Sequence, residues 1–230
     1  MAVDIEKLLL VMQLSDSQLP VGGFSFSSGL ESAIYEGIVG DEKSLGEYVG
    51  SLLRSYLRVE GVIAMEAHRA LERGDRGGVL ELERKLLIRR VGDESREMIL
   101  RMGRKLLQLG LHITPCGELS WWEDSFLQGA FRASHPIVMA LLFHLWGLGE
   151  EALFTALGYG VVNPTLGASL RLMRISHYST QRLLHDSAGV VRGVYEECRG
   201  LSVERVHRFS PELDIAASLH ERGAQRLFMN

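Results

Sequence analysis

The segment from His135 to Trp146, HPIVMALLFHLW, sets the strongest limit on what this chain can become. At helical spacing its apolar side chains fall on nearly every face rather than on one stripe. Such a helix is stable in water only when other elements cover it all round. The apolar run that contains it, Pro136 to Leu148 with His144 inside, is too short to span a bilayer. A central helix wrapped by others is therefore expected. The chain has material for the wrapping: 230 residues, 46% hydrophobic and 23% charged. No Pro- or Ser-rich linker divides it, so one domain is expected.

Helical periodicity dominates elsewhere. Residues 4–14 carry Ile5, Leu8, Leu9 and Met12 at helical spacing, and Pro20, Gly22 and Gly23 end that segment. Ser28-Gly29-Leu30-Glu31 and Ser44-Leu45-Gly46-Glu47 both have the form of a capping box and predict helix starts. The second opens a long stretch to about Arg73, long enough for two helices. Gly74 to Gly78 predicts a turn, followed by amphipathic helices over Leu80–Arg90 and Glu94–Leu109. Thr114 to Gly117 predicts a break. Glu150 to Arg174 reads as helix, with Pro164 expected to kink or restart it. Ser179–Leu184 and Gly189–Glu197 add a further helical region. Strand-like alternation with hairpin turns does not recur. The fold class expected is all-α, a single-domain bundle of roughly ten helices over residues 1–209, with residues 210–230 as a C-terminal tail.

Several chemistries lack their signatures. There is no GxxxxGK[ST] phosphate loop, no HExxH zinc motif and no GxSxG nucleophile elbow. None of the eight histidines (68, 112, 135, 144, 177, 185, 207, 220) pairs with another at i, i+4. His112 and Cys116 come closest to a ligand pair, but Pro115 prevents one helical face from carrying both. Neither a catalytic centre nor a metal or cofactor site of its own is expected. A metallohydrolase using His135, His144 or His185 is the enzymatic alternative, and a helical DNA-binding regulator the other. The net charge of -4 and the absence of a basic helix weigh against nucleic acid. Two distant cysteines, Cys116 and Cys198, and acidic residues ahead of a short N-terminal apolar run point to the cytosol, with no membrane span. Of 25 basic residues only Lys7, Lys43, Lys85 and Lys105 are lysine. Arginine suits part-buried ion pairs and interfaces; a GC-rich genome or warm habitat accounts for it equally. Trp121-Trp122 reads either as core packing or as an aromatic patch for a partner.

The most unusual stretch is LPVGGFSFSSGLE, residues 19–31, with glycines, phenylalanines and serines that make poor helix. Physically it predicts a tight loop, with Gly22, Gly23 and Gly29 serving backbone geometry. Its continuation to LPVGGFSFSSGLESAIYEG resembles the N-terminal signature of UreF-type urease accessory proteins. Further stretches resemble the same family in order: His135-Pro136 with its apolar helix, ASLRL (168–172), TQRLL (180–184), and SPELDIAASLHE (210–221) followed by Arg226-Leu227-Phe228. The chain differs where the family usually has Pro-Leu-Gly-Gln, at Arg174 to His177, and in its ending Phe228-Met229-Asn230.

The resemblance implies a non-enzymatic, dimeric accessory protein that bridges a UreD/UreH-type partner and the GTPase UreG. That complex delivers nickel into the urease apoprotein and modulates GTP hydrolysis. Nickel and GTP then belong to the complex and not to this chain. By the same resemblance Gly22, Gly23, Phe24, Ser25, Phe26, Gly29 and Glu31 form the surface facing the GTPase. Phe24 and Phe26 have simple packing as the alternative. Glu31 doubles as the expected N3 partner of Ser28. Arg171 and Gln181 would be dimer or partner contacts, with an ion pair and an exposed helix position as the alternatives. The tail would lie in a partner's groove through Pro211, His220, Glu221, Arg226 and Phe228, ordering as it binds.

Overall fold

The computed structural model describes residues 4–23, 27–90 and 92–206. In chain order its helices are α1 (Ile5–Ser15), α2 (Leu30–Tyr35), α3 (Glu42–Tyr56), α4 (Val62–Glu72) and α5 (Arg76–Arg89). They continue with α6 (Asp93–Ile113), α7 (Gly117–Leu127), α8 (His135–Leu145), α9 (Glu150–Leu172) and α10 (His177–Cys198). Among the described residues there is no strand, and the protein is all-α. No described helix is long and apolar enough to cross a membrane.

The all-round apolar segment sits at the centre. Every residue of α8 from Pro136 to Phe143 is buried. Helices α4 and α6 pack along it and α9 crosses beside it. The approach of α6 depends on Gly103, where a Cβ would stand 2.0 Å from the Ala133 carbonyl oxygen and 2.5 Å from the His135 amide nitrogen. Those atoms are backbone and cannot swing away, so any side chain at 103 forces the elements apart. The turn entering α8 is held from the other side by Glu83 of α5. Its buried carboxylate accepts the amide N–H groups of Arg132 and Ser134, both at 2.7 Å. Burial raises the pKa of this carboxyl, and the two amides pull against that rise.

Between α3 and α4 the chain makes one π-helical turn, Leu57–Gly61. The wider turn sends adjacent residues Val59 and Glu60 inward together. Glu60 accepts from Arg90 Nη1 at 2.6 Å, with both side chains buried, and Arg90 Nε also donates to Ser95 Oγ at 2.7 Å. Arginine-carboxylate pairs recur on the surface, as Arg69–Glu150, Arg76–Glu118 and Arg182–Glu42. The arginine bias therefore has a structural use, as the ion-pair reading anticipated.

Several sequence expectations need correction. The Ser28 capping box does not form: Ser28 and Gly29 take positive φ (54° and 80°), Gly29 caps α2 without a side-chain bond, and Glu31 is its second residue. Two successive left-handed residues aim the Ser28 side chain away from the helix start. The second box shifts to Asp41 and Ser44, because Asp41 accepts the Ser44 amide at 2.8 Å and Ser44 returns the bond. Asp75 likewise caps α5 through Gly78, so the expected turn at residues 74–78 is mostly helix. Pro164 lies inside the single helix α9, so it does not restart the helix. The further helical region expected over residues 179–197 is there, as one helix, α10, capped by Ser176. Trp122 is fully buried, its Nε1 donating to Glu118 at 2.9 Å, whereas Trp121 stays part-exposed beneath the Arg76 guanidinium.

Candidate partner-binding site

The unusual loop begins where α1 ends. Asp16 takes an extended conformation and accepts the Gln18 amide at 2.8 Å, a local turn that competes with helix. Pro20 follows, and Gly22 adopts φ 83°, a conformation open to glycine at little cost. The loop runs against α6, with the Gly22 Cβ position 3.6 Å from Lys105 Nζ and that of Gly23 3.1 Å from Met102 Cε. On its far side the Tyr48 hydroxyl donates to the Ser28 carbonyl at 2.6 Å. Ser27, Gly29 and Leu30 are buried there and Glu31 is half-buried.

Between this segment and α9 lies a cavity of about 290 Å³. Leu14, Val21, Met102 and Met139 give it an apolar lining, and Ser15, Asp16, Tyr159, Asn163 and Arg171 add polar groups. The α9 wall is made of small residues and proline, Gly160, Pro164, Gly167 and Ala168, which is why the space stays open. Pro164 has no N–H, so the Gly160 carbonyl on this wall lacks its i+4 donor. His135 also lines the space, from the first turn of α8. Its surroundings desolvate the charged form, and the Arg90 charge adds to this, pushing its pKa down to about 4. The imidazole is therefore neutral at physiological pH. The lining thus combines two thioethers, a neutral imidazole and polar groups.

Gly23 and Arg171, separate in sequence, thus meet on one cavity, and Arg171 is among its exposed residues. Gln181 does not line it and lies exposed in the second turn of α10. Phe24, Ser25 and Phe26 lie outside the described residues, as do the tail positions Pro211, His220, Glu221, Arg226 and Phe228. The three histidines of the metallohydrolase alternative do not converge. His135 is at the cavity, His144 sits edge-on to His68 at 5.9 Å, and His185 is exposed on α10. Among the described residues no group of three or more His, Cys, Asp or Glu side chains is arranged to hold a metal. Sequence reasoning missed Asp16, Tyr159 and Asn163. The available signal was the run of small residues around Pro164, which on a helix marks a face that cannot fill its own space.

The architecture defines a class: an all-helical protein whose distinctive loop lies against a part-apolar cavity. Comparison with known proteins narrows that class. The UreF family model matches residues 39–188. Urease accessory protein UreF 2 of Brucella canis is 36% identical over 223 residues, covering 97% of this chain and 92% of that protein. UreF 1 of Brucella melitensis gives the same identity and coverage, and UreF of Yersinia enterocolitica is 32% identical, covering 97% and 98%. This chain belongs to the UreF family of urease accessory proteins, with a role in urease maturation.

Proposed function

We propose that this chain is a cytoplasmic, non-catalytic scaffold. It joins a UreD/UreH-type protein and the GTPase UreG, works as a homodimer, and helps to deliver nickel into apo-urease. The observation that carries this is the near-full-length relationship to proteins named for urease accessory function, which covers loop and helices together. The geometry supports it, because the described parts of the family-like loop lie beside a cavity of about 290 Å³ and are tied to α3 through Tyr48. Gly22, Gly23 and Glu31 contribute to the surface offered to the GTPase, the buried Gly29 shapes the turn behind it, and GTP hydrolysis is modulated there. Phe24, Ser25 and Phe26 belong to the same surface. Arg171, at the cavity, and Gln181, on the neighbouring helix, contribute to assembly contacts. Residues 210–230 act as the tail that a UreD/UreH-type partner orders, anchored by Pro211, His220, Glu221, Arg226 and Phe228. Nickel is cargo of the complex, and no resident metal or nucleotide is assigned to this chain.

The test is co-expression with a UreD/UreH-type protein and UreG, followed by sizing with light scattering. A complex with two copies of each, lost when residues 210–230 are removed, is expected. Well-folded components that do not associate would overturn the scaffold reading.

A further inference from the structure

Helix α2 is six residues long, and its end is tightly specified. Gly37, at φ 72°, takes the left-handed conformation that glycine adopts at little cost. Its amide donates to the Ile34 carbonyl at 3.1 Å, and the Ile38 amide reaches back to the Ala33 carbonyl at 2.9 Å. These are the two bonds of a Schellman turn, which satisfies carbonyls that a helix end leaves open. The turn sends Val39 inward, where it is buried, and leaves Ile38 outward at 50% exposure. Tyr35, in the last turn of α2, is 88% exposed. It stands four residues after Glu31, so the two share one face of the helix. One bare tyrosine is ordinary on a protein surface. Here two bare side chains are set by one rigid turn in an acidic stretch. Residues 31–47 hold Glu31, Glu36, Asp41, Glu42 and Glu47 against Lys43 alone, a balance of -4 that equals the net charge of the whole chain. Arg182 of α10 pairs with Glu42, and Lys43 lies 3.9 Å from Glu47. Glu36, next to Tyr35, is exposed.

We propose that Tyr35 and Ile38 anchor the contact with the GTPase, seated in an apolar pocket of that protein whose rim carries basic side chains. This inference rests on the bridging role proposed above and assigns an anchor to its GTPase side. The occupant follows from continuity and from charge. Glu31 is part of the surface assigned to the GTPase, and Tyr35 extends the same helical face by one turn. Anchors of specific contacts are a few large side chains, tyrosine prominent among them, and they bind best when held in place beforehand. A tyrosine has only two side-chain torsions to fix, and the Schellman turn already fixes the backbone beside it. The nearby carboxylates attract a basic rim and oppose an acidic one. The same carboxylates repel nucleic acid and anionic lipid.

The test is the affinity of GTP-loaded UreG for the immobilised complex of the full chain with its UreD/UreH-type partner. Tyr35→Ala should raise the Kd more than about tenfold with helical circular dichroism unchanged. Glu36→Lys should also raise it, and the wild-type affinity should fall as salt is added. Ile88→Ala, at an 81% exposed position on α5, should bind as the wild type does. Should Tyr35→Ala misfold, Ile38→Ser provides a second measurement, and it too should weaken capture of UreG. A folded Tyr35→Ala or Ile38→Ser with the wild-type Kd would overturn the anchor and keep the bridging role. Tighter binding by Glu36→Lys would overturn the basic rim. Loss of the UreD/UreH-type protein from Tyr35→Ala, with UreG still captured, would give this surface to the other partner and overturn the inference. A wild-type complex that captures no UreG would overturn the bridging role and the anchor together.

Discussion

The α6–α8 contact and the α1–α9 contact are both helix pairs, built on opposite terms. At the first, Gly103 lets backbone meet backbone, Glu83 pins the entering turn, and the α8 side chains from Pro136 to Phe143 leave no bare face. At the second, three inward side chains hold α1, a cavity of about 290 Å³ opens where α1 gives way to the loop, and an apolar stripe faces water. One contact spends its apolar surface on folding, and the other leaves part of it facing water. Close packing at the first supplies stability to the fold, while the second leaves apolar side chains exposed.

Substitutions that disturb the dense side should cost most. Gly103→Val places a branched side chain against the Ala133 carbonyl and is expected to cost about 4 kcal/mol or to prevent folding, read as the urea midpoint. A midpoint within experimental error of wild type would mean the contact is looser than described. Arg90→Met removes the cation that pairs with the buried Glu60 carboxylate, and about 3 kcal/mol should be lost in the same assay.

His135 lies where the two regions meet and gives a pH signature. Its pKa is depressed from 6.5 to about 4, so the folded state binds fewer protons than the unfolded chain between those values. The stability it contributes is present above about pH 6.5 and lost as pH falls toward about 4, by up to about 3 kcal/mol. Denaturation curves across that window should show this slope in wild type and a shallower one in His135→Gln. Parallel slopes would place the imidazole in water. The smallest effect belongs to the open side: Leu8→Ser should move stability by no more than about 0.5 kcal/mol, because that side chain faces solvent in the single chain. A larger loss in a dilute, single-copy sample would show the outer stripe to be packed.

The sequence shows these two regions unequally. The central helix was legible from HPIVMALLFHLW, because an all-round apolar pattern has one stable environment. Caps were read less well. Ser28 and Ser44 carry the right side chains, but Gly29 turns left-handed and Asp41 takes the cap three residues before Ser44. Spacing alone cannot choose between two oxygen-bearing residues so close together. On α1 the pattern misleads: Ile5, Leu8, Leu9 and Met12 form the regular stripe that usually marks a core face, yet Leu10, Val11 and Leu14 are the ones packed inward. At the candidate site, the loop was visible as composition and as family resemblance. The cavity was not, because it depends on how α9 lies against residues 14–23. The joining of Gly23 with Arg171 is a tertiary fact.

The most direct measurement is the nickel content of urease purified from cells that carry the urease subunits and the other accessory proteins, with and without this chain. A maturation scaffold requires nickel-loaded, active urease when the chain is present and mostly metal-free enzyme when it is absent. Equal nickel in both preparations would contradict a role in loading the metal.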